Sequence, residues 1–222
     1  MQKVLTLYET TVGKKAVMAV TGLLLMGFVV GHMLGNLQVY FGPEQLNSYA
    51  EKLKQLGPLL WAVRAALLSA LLVHLTAAAQ LVWGTWGARG IGYRKFTNQA
   101  TTYAAMTMKY TGPLILLFVG YHLAHFTYPG IAMGNGYEHS PTDVYANVVN
   151  GFSVPLVAAL YVAAQIALGF HIYHGGWSLL HTLGVDHPRY NERLRTWAKR
   201  LAVVVVLGNV SIPVAVVAGF VN

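Results

Sequence analysis

The sequence predicts an all-α polytopic membrane protein with five transmembrane helices, and three observations carry that expectation. Apolar residues make up 55% of the 222 residues and charged ones only 10%, at a mean hydropathy of +0.50, whereas a water-wetted domain carries about 25% charged residues. Five apolar segments stand out, each near or above the roughly 20 residues that cross a hydrocarbon core of about 30 Å. None of the five holds an Asp or Glu. Lipid offers no partner to an unpaired backbone group, so all five are expected to be helices.

One transmembrane domain is expected to fill residues 1–222, with spans at about 16–37, 59–83, 111–128, 154–180 and 201–221. The first apolar run, from Ala16, continues past signal-peptide length and is therefore read as a span. Turn chemistry separates the segments: Phe41-Gly42-Pro43 after the first, Gly130 to Gly136 after the third, and Asp186-His187-Pro188 after the fourth. With an odd number of spans the chain ends lie on opposite sides. One side collects Lys3, Lys14, Lys15, Arg89, Arg94, Lys95, Lys109, Arg189, Arg193, Arg195, Lys199 and Arg200; the other has Lys52, Lys54 and Arg64. Twelve basic residues against three predict a cytoplasmic N-terminus and an outside C-terminus in a bacterial cytoplasmic membrane. The net charge of +8 is thus a topology signal, not a nucleic-acid footprint. The same basic face could also dock a soluble partner.

Cysteine is absent. That excludes disulfides, thiolate-bound zinc, iron–sulfur clusters, a Cys nucleophile and covalently attached c-type haem within this chain.

Six of the nine histidines fall inside the expected spans. An ionisable side chain in a bilayer faces the bundle interior and marks function, although a single one is as readily a neutral imidazole bonded to a neighbouring helix. Their depths sort them. At about 1.5 Å per residue, His32 lies about 24 Å from Ala16 and His122 about 20 Å from Lys109, both on outward-running helices. His74 is about 22 Å from Leu59 and His171 about 25 Å from Val154 on inward-running ones. The expectation is an outer pair, His32 with His122, and an inner pair, His74 with His171. A weak repeat agrees: Thr21-Gly22 and Thr111-Gly112 each precede an outer histidine, by ten residues counted from the glycine. Gly27, Gly31, Gly35 and Gly120 would let a flat ring approach these helices, though glycine also serves helix packing alone.

Paired imidazoles without Cys or carboxylates nearby suit bis-imidazole iron in haem b. Zinc would require three or four ligands at one place. The first four spans are therefore expected to form a di-haem four-helix bundle. His125 and His174, three residues after His122 and His171, remain competing ligands. His181 lies near the cytoplasmic surface, and His139 and His187 are expected to be solvated loop residues.

The run Gly13-Lys14-Lys15-Ala16-Val17-Met18-Ala19-Val20-Thr21-Gly22, then Gly31-His32-Met33-Leu34-Gly35-Asn36-Leu37, resembles the cytochrome b subunit of succinate dehydrogenase. So do Lys109-Tyr110-Thr111-Gly112 with Tyr121-His122, and Phe170-His171 with Gly176-Trp177-Ser178. The resemblance covers nearly the whole chain and is to the single-anchor, five-helix, di-haem form of succinate:menaquinone oxidoreductases and fumarate reductases. It implies two haems b, ligated by His32 with His122 and by His74 with His171. It also implies a flavoprotein subunit with FAD and an iron–sulfur subunit docked on the cytoplasmic face. Dicarboxylate chemistry would then belong to the flavoprotein, leaving this chain a non-dehydrogenase subunit of the enzyme. Menaquinone would react near the outer haem. Glu51 is the candidate proton carrier there, or else a solvated loop carboxylate. Arg64 is expected either to pair with a haem propionate or to snorkel to the interface. Two rival readings stand beside this one: the cytochrome b anchor of a hydrogenase or formate dehydrogenase, and a histidine-rich transporter or structural anchor.

Overall fold

The computed structural model describes residues 7–88, 101–128 and 136–222. Of the basic residues counted above, Lys3, Arg89, Arg94 and Lys95 lie outside the described residues, as does most of the expected turn Gly130 to Gly136. The described residues contain seven α-helices and no strand: α1 (Thr11–Asn36), α2 (Pro43–Gln55), α3 (Pro58–Gly87), α4 (Tyr103–His122), α5 (Val144–Phe152), α6 (Pro155–Thr182) and α7 (Asn191–Val217).

Each expected span falls on one of the long helices, with shifted boundaries. Thr10 starts α1 by accepting the Gly13 N–H at 3.0 Å, which satisfies one orphan donor of the first turn. A 3₁₀ turn, Leu37–Phe41, extends α1 at its far end. Thr102 caps α4 in the same way through the Ala105 N–H. That helix therefore begins well before the apolar run, and Lys109 lies inside it. α7 begins at Asn191, so Arg193, Arg195, Lys199 and Arg200 are helical rather than in a loop. α1, α3, α6 and α7 are long and apolar enough to cross a membrane. α4 is not among them: its apolar centre, Leu114 to Val119, lies between Lys109-Tyr110-Thr111 and Tyr121-His122.

Two helices were not expected. α2 carries ordinary signals, with Pro43 in its first turn, Glu44 beside it, and Lys52 and Lys54 in the last turn. It buries Leu46 and packs Tyr49 against the core. α5 is capped by Asp143, which accepts the Ala146 N–H at 2.9 Å. Asn47 of α2 bolts the two together, donating to Asp143 at 3.0 Å and accepting the Tyr145 N–H at 3.0 Å. The Ala146 N–H and the Asn47 amide together hold the Asp143 carboxyl below the usual carboxylate range.

α1 and α6 form the central pair; α3 packs on α1, α4 on α6, and α7 on both α6 and α1. The four histidine-bearing helices thus run in the order α3, α1, α6, α4 around a bundle. Among the described residues no comparable packing closes the fourth side, between α3 and α4, or either diagonal. The basic end of the bundle is where α1, α4 and α7 start and α3 and α6 finish; α2 and α5 cover the far end.

Close approach fixes the α7 contacts. A Cβ at Gly169 of α6 would meet Val206 Cγ2 at 2.5 Å, and one at Gly208 of α7 would overlap the Met33 sulfur. Val206 is β-branched and has little rotamer freedom to yield. Replacing Gly169 by leucine is expected to cost about 1–3 kcal/mol by overpacking, read as a lower thermal midpoint in detergent. Gly175→Ala on the same helix, where a Cβ meets nothing within 4 Å, is the control and should leave the midpoint unchanged or raise it, since alanine is the better helix former.

Candidate functional site

The histidines meet in the two expected pairs, and each pair spans a diagonal of the bundle. His32 of α1 and His122 of α4 have ring centroids 5.7 Å apart with planes at 83°. His74 of α3 and His171 of α6 are 6.4 Å apart with planes at 57°. Because diagonal helices are not packed on each other, the imidazoles are what reach across. Two helix paths give the spacing between the levels. Along α1, Thr21, which touches His74, precedes His32 by about 16 Å; along α6, Tyr161, which touches His122, precedes His171 by about 15 Å.

The partners of His74 favour one tautomer. Its Nδ1 lies 3.2 Å from the Met18 carbonyl and 3.2 Å from Thr21 Oγ1. The carbonyl can only accept. The Thr21 hydroxyl has two carbonyl acceptors on its own helix, Val17 at 2.8 Å and Met18 at 3.2 Å, so its oxygen is placed to accept from His74. Nδ1 therefore carries the proton and Nε2 keeps its lone pair, the state a metal-ligating imidazole needs. A Cβ at Gly22 would come within 3.2 Å of His74 Cε1, so the glycine of the Thr-Gly motif makes room for this ring. The Tyr161 hydroxyl lies 3.3 Å from His122 Nδ1; unlike a carbonyl it can donate as well as accept. His171 Nδ1 is buried without a partner among the described residues.

The competing histidines sit differently. After His122 the chain makes a π turn, Leu123–Thr127, of the kind that recurs at functional sites. His125 in that turn is fully buried. Its Nδ1 lies 2.9 Å from the Tyr161 oxygen, and its ring is stacked on Tyr121 and packed against Phe126. It is His122, not His125, that faces His32, and His171, not His174, that faces His74. His139, expected to be solvated, is half-buried instead, with Nε2 3.2 Å from both the Phe126 carbonyl and the Asn147 amide nitrogen. His181 lies 3.6 Å from Asp186, and exposed His187 stacks on Tyr190.

Glu51 is exposed on α2, where Gln55 donates to it at 3.3 Å. It lines a polar cleft of about 480 Å³ with Glu44, Asn47, Ser48, Lys54 and Thr142. No hydrogen bond joins it to His32 or His122 among the described residues. Arg64 is exposed and stacks its guanidinium over Trp61, 4.9 Å from the ring centre. The described residues hold no group of three or more His, Cys, Asp or Glu arranged for a metal ion, so each level offers two imidazoles.

Tyr161, Met18 and the paired phenylalanines were not singled out by sequence. A signal was present. Phe28 stacks on His32 from four residues before it, and Phe118 packs on His122 from the same spacing. Met18, Thr21, Gly22, Phe28 and His32 recur ninety residues later as Met108, Thr111, Gly112, Phe118 and His122. A tyrosine inside an apolar span likewise implies a polar partner. No family model, curated sequence or solved structure matches the chain.

Tyr161→Phe deletes one oxygen shared by two buried ring nitrogens and should cost about 1–3 kcal/mol, the penalty of stranding buried polar groups. The readout is the thermal midpoint of the purified chain. Adding His125→Phe removes the fully buried stranded group and should recover part of the loss, a coupling that a double-mutant cycle measures.

Proposed function

We propose that this chain is the di-haem b membrane anchor of a succinate:menaquinone oxidoreductase or fumarate reductase. The observation that carries the reading is the pair of imidazoles facing each other across each diagonal of one bundle. The residues fit the group. With iron–nitrogen bonds of about 2 Å, like those of zinc, and about 1 Å from that nitrogen to the ring centre, two imidazoles on one iron have centroids about 6 Å apart. The observed 5.7 and 6.4 Å bracket that value. A Cβ at Gly27, Gly31 or Gly120 would meet nothing within 4 Å, which leaves room along these helices for a flat macrocycle.

On this reading His32 and His122 hold the outer haem b, and His74 and His171 the inner one. The fifth crossing is α4 with its π turn, whose polar residues face the pair it serves instead of lipid. Bound at the two levels, haem b supplies a one-electron ferric–ferrous couple, the chemistry needed between partner iron–sulfur clusters and a membrane quinone. The chain's own residues hold the ligand nitrogens: the Met18 carbonyl and Thr21 act on His74, and Tyr161 acts on His122. Neutral imidazoles do this without the cost of a charge in lipid.

The basic end faces the cytoplasm and receives the iron–sulfur subunit, which carries the FAD-bearing flavoprotein; succinate or fumarate reacts there. Exposed Arg189, Arg193, Lys199 and Arg200 supply the docking charge. Menaquinone reacts at the far end, where Glu51 in its water-exposed cleft exchanges the protons. Arg64 anchors the same interface or meets a propionate.

His32→Ala and His122→Ala should each remove the same haem from the reduced-minus-oxidised spectrum and leave the other. Loss of different haems would refute the pairing. Arg193→Glu with Lys199→Glu should reduce co-purification of the soluble subunits at unchanged haem content. Full recovery of those subunits would remove the docking role from this surface.

A further inference from the structure

The repeat of ninety residues places the same five residue types on α1 and α4, yet the two copies are used differently. In the first copy the Thr21 hydroxyl and the Met18 carbonyl both lie 3.2 Å from the Nδ1 of a histidine on another helix. In the second, the Thr111 hydroxyl, although buried, points to the Met108 sulfur at 3.9 Å, and His171 Nδ1 has no partner among the described residues. A threonine that only bonded back to its own helix would need nothing from α3. Thr21 makes that back-bond to Val17, and this bond is what places its oxygen to accept.

We propose that Thr21 is a positioning residue for the inner ligand pair: its hydroxyl, bonded back to carbonyls of its own helix, accepts from His74 Nδ1 and leaves Nε2 as the lone-pair nitrogen. The proposal rests on the di-haem reading and adds a residue to it. An imidazole whose distal N–H is well bonded is a more basic ligand. A more basic ligand favours ferric over ferrous iron and lowers the reduction potential. Thr21 therefore biases the haem at the basic end, while the far-end haem does not feel it. The Met18 carbonyl remains as a second acceptor when Thr21 is changed, so His74 keeps its tautomer and the haem stays bound.

The test is an optical redox titration of the full-length chain purified from membranes, comparing wild type with Thr21→Val, Thr21→Ala and Thr21→Ser. Thr→Val keeps the shape and loses the hydroxyl; Thr→Ala gives the same readout where valine does not pack. The lower figure for loss of an outer-shell partner is about tenfold in metal affinity. Applied to the ferric form, that is a rise of about 59 mV in a one-electron couple. The expected result is a rise of this order in one of the two midpoints with Val or Ala, both haems retained, and a wild-type value with Ser. Two b-type midpoints in wild type that stay unmoved in Val and Ala would overturn the role of Thr21 and leave the di-haem reading standing. A serine variant that shifts as valine does would also overturn it, since the hydroxyl would not be the cause. A wild-type chain without b-type absorption would overturn both readings together.

Discussion

A neutral imidazole among membrane helices carries one N–H and one lone pair, and an acceptor held beside one nitrogen fixes the lone pair on the other. At His74 that condition is met by two acceptors from one turn of α1, the Met18 carbonyl and the Thr21 oxygen. The bond requires α3 to lie at one height and rotation against α1, and Gly22 supplies the clearance for the ring. Once α1 and α3 are locked in this register, the diagonal from α3 to α6 sets where His171 must stand. A hydrogen bond of ordinary strength thus works here mainly as a geometric constraint.

The far-end pair is held by other contacts. Tyr161 sits between His122 and His125 and gives both ring nitrogens a partner, while Phe28 and Phe118 flank the two facing rings. The π turn after His122 carries His125 into the aromatic core, away from His32. α7 contributes no histidine, but Gly208 of α7 admits Met33 of α1 and Gly169 of α6 admits Val206 of α7, and these approaches hold the central pair from which both diagonals are measured. The bundle is braced on three sides and spanned by side chains across its diagonals.

Most of the fold was legible because apolar run length and charge placement act on the whole chain at once. The histidine pairing was legible for a similar reason: helix rise converts residue counts into depth, and depth alone brought His32 to His122 and His74 to His171. What was not legible depends on rotation or on local backbone. Depth cannot separate His122 from His125, three residues apart; the π turn and Tyr161 do. α2 and α5 were missed because short amphipathic helices lack the long apolar signal, although Pro43, Glu44 and Asp143 mark their starts. Thr21 was visible only as a repeat marker, since its use depends on which face of α3 meets α1. Glu51 was placed at the far end by topology, and its exposed cleft is a local feature of α2 that topology does not specify.

The central claim is that four imidazoles in two facing pairs hold two haems. The most direct test is the amount of haem b per chain in the purified full-length protein, from the pyridine haemochrome spectrum set against amino-acid analysis. The account predicts two haems b for every chain. A chain that purifies folded with one haem, or with none, would contradict it.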